Sequence, residues 1–325
     1  MKKNYITIAA GLMLAALPFV GLSSSVVFAM GTTLIFAVMT IGFSFLMGYG
    51  GLASLGTAGF VGVGAYIAYF VVEVYKLPIS VAFLITVAIS LVMGVLVGFI
   101  SLRIEGIYLA LLTLGLSEIL RNTFVSIKAT IKINTSTLKM LGMPVGELHI
   151  YLLIVAVFIV LMLITTNLIN SPIGRALISV KNSPSAAQAM GISLLKHRVL
   201  AFVVSTVFAA VAGLLYMLYV RNITTSSTQL FSIITSLNIL GAAVIGGAKS
   251  LWGSTFGTFL IYGIQSMFLS KIKFFVQNPA FITMLTGVLI IIIVMFYPGG
   301  LAQIAMTLKY KIKNLSKKTN VGGAL

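Results

Sequence analysis

Charged residues drop out of this chain over long intervals. No Asp, Glu, Lys or Arg stands between Lys3 and Glu73, and further charge-free runs cover 77–102, 148–174, 199–220, 222–248, 250–270 and 274–308. A helix needs about 20 apolar residues to cross a hydrocarbon core about 30 Å thick. Most of these runs hold one crossing and the first holds three. The pattern predicts ten spans, at about 5–22, 26–47, 51–72, 78–100, 106–126, 149–169, 199–220, 229–248, 253–270 and 280–298. The 229–248 span is the weakest, because it is short and follows the polar run Asn222 to Gln229. For that span, entering and leaving on one side is the alternative to a full crossing. The expected fold class is an all-α integral membrane protein: a polytopic bundle of about ten transmembrane helices, with 1–325 as a single domain.

Composition agrees. Hydrophobic residues make up 60% of the chain and charged residues 8%, against about 25% charged in a soluble domain. Such a chain has too little charge to cover a surface in water. The formal net charge is +17, from 21 Lys+Arg and four acidic residues. In a soluble protein that excess would suggest nucleic acid. Here the basic residues cluster between spans and at the C-terminus, where they set orientation.

Lys2 and Lys3, the 171–198 loop with Arg175, Lys181, Lys196 and Arg198, and the 303–325 tail with Lys309, Lys311, Lys313, Lys317 and Lys318 are expected on the cytoplasmic side. Six crossings before that loop and four after it leave both termini inside. The 121–148 loop weakens the bias, because it falls outside and carries Arg121, Lys128, Lys132 and Lys139. Met1-Lys2-Lys3, an apolar stretch and Val27-Phe28-Ala29 resemble a signal peptide with its cleavage site. Apolar sequence resumes at once, which favours an uncleaved first helix.

Several chemistries are excluded. There is no Cys, so disulfides, thiol catalysis and Cys metal sites are out. There is no Asp for a Ser/His/Asp arrangement, and His149 and His197 are too far apart in sequence to suggest a metal pair. Gly48-Tyr49-Gly50-Gly51-Leu52-Ala53 matches a nucleotide-binding glycine pattern but follows no strand. Lys249-Ser250 after Gly246-Gly247-Ala248 lacks the glycine that a phosphate loop places before its Lys. Gly94 and Gly98, Gly253 and Gly257, and Gly59, Gly62 and Gly64 are best explained as close helix packing.

The loop between the sixth and seventh spans carries more information. Ser171-Pro172 and Ser183-Pro184 each combine an N-cap with Pro at the first helical position, and Gly191 supplies a stop. Two short helices are expected, about 172–181 and 184–190. They are too short to be stable alone in water, so they must dock on another protein or lie on lipid headgroups.

Ser185-Ala186-Ala187, three residues and Gly191 resemble the Glu-Ala-Ala, three residues, Gly loop of permeases in ATP-binding-cassette (ABC) importers, with Ser185 at the Glu position. Ser171-Pro172-Ile173-Gly174-Arg175-Ala176-Leu177 through Ala189-Met190-Gly191-Ile192 resembles branched-chain amino acid ABC permeases of the LivM type. Five further segments fall in the same order. They are Gly51 to Phe60 with Gly62 to Tyr66, Arg103 to Glu118-Ile119, Leu200 to Tyr216, Gly246 to Gly253, and Tyr297-Pro298-Gly299-Gly300-Leu301. Thr123 to Leu141 departs from the family by lacking its Thr-Gly-Gly stretch, which leaves the substrate more open than the mechanism.

The resemblance implies one permease subunit of an importer for branched-chain amino acids or related small polar solutes. Its partners would be a second, homologous permease, two cytoplasmic ATPases and an extracytoplasmic solute-binding protein. This chain would bind no cofactor, with ATP and magnesium on the partner ATPases. Gly174, Arg175, Ser185, Ala186, Ala187 and Gly191 are the candidate ATPase-coupling residues. Glu118, Asn122, Asn238 and Gln265 are the candidate substrate path. Glu118 also has Arg121 one helical turn away, and Glu105 with Arg103 reads as an interfacial pair. The alternative function is an ion-coupled secondary transporter, for which four Glu and no Asp offer little. A channel would show charge rings or a carbonyl filter, and neither is visible.

Overall fold

The structure is a computed structural model that describes residues 2–21, 23–104, 106–140, 143–224, 229–269, 272, 275, 277–297, 299–303 and 307. Helices occupy every expected span. In chain order they are α1 (Lys2–Ala16), α2 (Ser24–Ser44), α3 (Thr57–Ala68), α4 (Ile79–Ile100), α5 (Ile107–Ile127), α6 (Glu147–Asn170), α7 (Pro172–Asn182), α8 (Pro184–Ala189), α9 (Leu194–Val220), α10 (Ile233–Gly246), α11 (Leu251–Thr258), α12 (Ile264–Met267) and α13 (Pro279–Phe296). Among the described residues, three π turns interrupt the regular winding: Phe45–Tyr49 after α2, Tyr69–Val74 after α3 and Phe259–Gly263 between α11 and α12.

Among the described residues, six helical spans are long and apolar enough to cross a membrane: Ser24–Tyr49, Thr57–Val74, Ile79–Ile100, Ile107–Ile127, Glu147–Asn170 and Leu194–Val220. The other expected spans hold shorter or interrupted helices. The third span starts later than its sequence suggests, because Gly51 to Gly56 is non-helical and α3 begins only at Thr57. Glu105, expected to pair with Arg103, and the basic tail from Lys309 lie outside the described residues.

α9 is the central helix and packs against α2, α3 and α4. Lipid tails are as apolar as Leu, so close van der Waals contact, not the hydrophobic effect, holds such helices together. Glycine makes that contact possible. A Cβ on Gly64 would stand 1.7 Å from the Ala210 carbonyl oxygen, and one on Gly213 would stand 1.9 Å from that of Val61. The α3 and α9 backbones therefore touch where they cross. The GxxxG pairs do the same work. Gly94 and Gly98 seat α4 on Val203 and Val199 of α9, and Gly257 seats α11 on Ala242 of α10.

The expected α5–α6 loop is more ordered than a helical reading allows. Thr130–Lys132 (β1) pairs antiparallel with Asn222–Thr224 (β4), with Ile131 opposite Ile223. Lys139–Met140 (β2) pairs with Met143–Pro144 (β3). Both triplets of the first pair alternate polar, apolar, polar. Ile131 and Ile223 are buried while their flanking residues are exposed, or half-buried at Thr224.

Glu73 ties this cap to α3. Its carboxylate accepts from the Asn134 backbone N–H at 2.9 Å, Asn134 Nδ2 at 2.7 Å, Thr137 Oγ1 at 2.6 Å and Lys76 Nζ at 3.1 Å. The Tyr66 hydroxyl donates to the Lys128 carbonyl at 2.6 Å. The bundle thus has a strand end and an α7–α8 end. α10 runs between them. Phe231, just before it, packs on Tyr66 and Phe124, and Ala248, just after it, packs on Gly48.

Candidate functional site

The α7–α8 loop forms the two helices expected from its Pro residues. Ser183 caps α8 by accepting from the Ala186 N–H at 3.4 Å. Ser171 does not cap α7. Its hydroxyl instead donates back to the Leu168 carbonyl of α6 at 2.6 Å. Gly191 closes α8 in the left-handed region, at φ +79°. Its N–H bonds the Gln188 carbonyl and that of Ile192 bonds the Ala187 carbonyl, both at 2.9 Å. This is the paired-bond helix stop that glycine permits.

The two helices divide the six candidate coupling residues between two faces. Gly174 is buried with Leu177 and Val180, and a Cβ there would stand 2.1 Å from the Ile169 carbonyl oxygen. Ala187 is buried as well. These two seat the loop on its own bundle and are not available to a partner. Arg175, Ser185, Ala186 and Gly191 are exposed. Beside them stand three apolar side chains that the motif did not single out: Ile173, Ile178 and Met190, the last 82% exposed. A groove of about 550 Å³ lined by Gln188, Gly191, Ser193, Leu195 and Arg198 runs alongside. An outward face with one cation, small side chains and a flexible thioether suits docking into a groove on another protein.

The four candidate path residues do not converge on one site. Glu118 and Asn122 share a face of α5, where Asn122 Nδ2 donates to the Glu118 carbonyl at 2.9 Å. Arg121 closes the group with two short bonds to the Glu118 carboxylate, Nε at 3.0 Å and Nη2 at 2.7 Å. Asn238 on α10 lies near the Tyr262 hydroxyl of the π turn, which is buried and makes no hydrogen bond among the described residues. Gln265 on α12 lines a small apolar cavity of about 40 Å³ against α13.

Lys181 and Lys249 form a further feature of the α7–α8 end. Both line a cavity of about 490 Å³ with Met47, Val244 and Ala248. Burial and the Lys249 ammonium both push the Lys181 pKa below the usual lysine range. No spacing rule picks this pair out, because the two residues are 68 positions apart in sequence and meet only through the α2–α3 reversal.

Residues 25–294 match the family model described as the permease component of the branched-chain amino acid transport system. The chain belongs to this family. The high-affinity branched-chain amino acid permease protein LivM of Escherichia coli K12 is 25% identical over 98% of this chain and 79% of its own length. LivM of Salmonella typhimurium LT2 is 27% identical over 77% of this chain and 65% of its own length. The autoinducer 2 import permease LsrC of Enterobacter sp. 638 is 29% identical over 59% of this chain and 56% of its own length. No solved structure matches the chain. This is a multi-pass ABC transporter permease. In a permease the α7–α8 loop and the α5 face are the two surfaces to explain, since neither is completed by the chain itself.

Proposed function

We propose that this permease is one membrane subunit of an ATP-driven importer that moves branched-chain amino acids, or related small polar solutes, inward by alternating access. The observation that carries the reading is the outward face of the α7–α8 loop. Arg175, Ile173, Ile178 and Met190 stand free on two short helices that are anchored from behind by Gly174, Leu177 and Ala187. That loop meets a cytoplasmic ATPase, so the α7–α8 end and both termini are cytoplasmic. The strand end faces outward and receives solute from a binding protein. Ten crossings follow, with α1, α10, α11–α12 and α13 completing the six long spans.

The α5 face supplies the second support. A charged residue at a span centre costs about 2.5–3.5 kcal/mol by insertion scales. Glu118 and Arg121 lie near the middle of α5 with side chains 45% and 32% exposed. Pairing lowers the cost, but lipid offers such a group nothing further. A second permease chain covers this face, and the polar path runs along the seam past Glu118 and Asn122. The ion-coupled alternative is not favoured, because the Glu118 carboxylate is already held by Arg121.

The test is to tag the chain, purify it from its native membrane in mild detergent and identify the proteins that come with it. The importer reading expects an ATPase and a second permease. Recovery of this chain alone after crosslinking would overturn it.

A further inference from the structure

At the α7–α8 end, α2 widens into the π turn Phe45–Tyr49 and the chain reverses through Gly50 and Gly51 before α3 starts at Thr57. The reversal is gripped from two sides. From α7, Lys181 Nζ donates to the carbonyls of Met47 at 3.1 Å and Gly48 at 2.8 Å. The stem of Lys181 lies over Gly51, whose φ is +70° and where a Cβ would stand 2.7 Å from Lys181 Cγ. From the α10–α11 turn, the Lys249 carbonyl accepts from the Tyr49 hydroxyl at 2.6 Å. The Ala248 carbonyl oxygen presses on Gly48, at 2.0 Å from where a Cβ would be. Carbonyls at a helix C-terminus carry partial negative charge, and an ammonium bonds them more strongly than a neutral donor does.

We propose that Lys181 is a positioning residue that transmits movement of α7 to the α2–α3 reversal, and so to the inner end of the solute path. The proposal rests on the importer reading, in which an ATPase moves α7. Gly174, Leu177 and Val180 make α7 a lever seated on the bundle, and Lys181 stands in its last turn. The carbonyls it holds belong to irregular backbone, where winding changes at little cost; π turns often mark such functional positions. The adjoining cavity of about 490 Å³ leaves the reversal room to shift. Among the described residues no carboxylate forms an ion pair with Lys181, so its charge is spent on these carbonyls.

Lys181→Met keeps the stem and removes the donors, and Lys181→Arg keeps charge and donors. The first measurement is amide hydrogen exchange of the full chain in nanodiscs. Lys181→Met should speed exchange at 45–52 roughly tenfold while α4 and α9 are unchanged, and Lys181→Arg should restore protection. Unchanged exchange in Lys181→Met overturns the grip whether or not an ATPase binds.

The second measurement uses the complex purified from its native membrane. Lys181→Met should retain the ATPase and hydrolyse ATP but take up solute roughly tenfold more slowly, with Lys181→Arg close to wild type. Uptake at the wild-type rate overturns transmission. Loss of the ATPase in Lys181→Met also overturns it, by making Lys181 a docking residue. A wild-type chain that brings down no ATPase overturns the importer reading instead, and the exchange result then decides the grip alone.

Discussion

The Arg121 guanidinium meets the Glu118 carboxylate at 2.7 Å on a face of α5 that the rest of the chain leaves largely uncovered. α4 shows the contrast. Past its first turn, its outward side chains, among them Leu84, Val92, Leu96 and Phe99, are apolar and suit lipid. The outward face of α5 mixes Ile119 and Leu111 with Glu118, Asn122, Thr123 and Ser126. A helix polar on its outer face within a membrane points at protein or at a water-filled path.

With no native cysteine, single-thiol probes can test this cleanly. A maleimide photocrosslinker on Ile119→Cys should capture a second permease chain, and the same probe on Leu84→Cys should capture none. Equal capture at both positions would remove α5 from the seam.

The α3–α9 crossing predicts a sharp difference between two glycines. Gly64→Ala drives a methyl group into the Ala210 backbone, and overpacking costs about 1–3 kcal/mol. Gly115 on α5 has nothing within 4 Å of its missing Cβ, so Gly115→Ala should be neutral or gain up to about 1 kcal/mol of helix propensity. Thermal midpoints in detergent should therefore fall for the first and hold or rise for the second. A stable Gly64→Ala would mean that the two backbones are farther apart than described.

Arg175 and Gly191 make the proposed coupling role of the α7–α8 loop testable without touching its seat. Arg175→Glu reverses the outward charge, and Gly191→Asp strains a residue at φ +79°. Both variants should insert normally and take up solute about tenfold or more below wild type. Normal uptake by both would refute the loop's role. Gly174→Ala is a poorer probe, because its methyl group would strike the Ile169 backbone and displace α7 as a whole.

The six long spans were legible because a bilayer admits only backbone that satisfies its own hydrogen bonds, so charge-free runs of the right length become helices. Ser183-Pro184 and Gly191 likewise marked real helix ends, because cap and stop are local chemistry. Four things were not legible. The β1–β4 pair joins segments about 90 residues apart, and three-residue alternation in each is too brief to stand out. Ser171 bonded backward to Leu168 because that acceptor lay within one helical turn. Gly174 and Ala187 matched the coupling pattern in sequence but face the bundle, and no motif tells the two faces of a short helix apart. The Lys181 grip depends on three chain segments meeting and has no sequence signature.

Lys181 should also set an alkaline limit on transport. Burial and Lys249 both lower its pKa, so rising pH removes its proton before those of exposed lysines. Transport should then fall at a pH below the ordinary lysine range. Lys249→Gln relieves the repulsion and should move that fall to higher pH, and Lys181→Arg should abolish it. The measurement is uptake against pH with ATP hydrolysis followed in parallel. A fall that neither variant moves belongs to another group.

The decisive measurement is solute uptake by the purified assembly in sealed proteoliposomes, with ATP confined to the α7–α8 side and labelled leucine, isoleucine or valine with a binding protein on the strand side. Uptake should require ATP on that side, be unaffected by collapsing ion gradients, and fail in Arg175→Glu. Uptake driven by a proton or sodium gradient without ATP would contradict the importer reading and return Glu118 to consideration as an ion-coupling group.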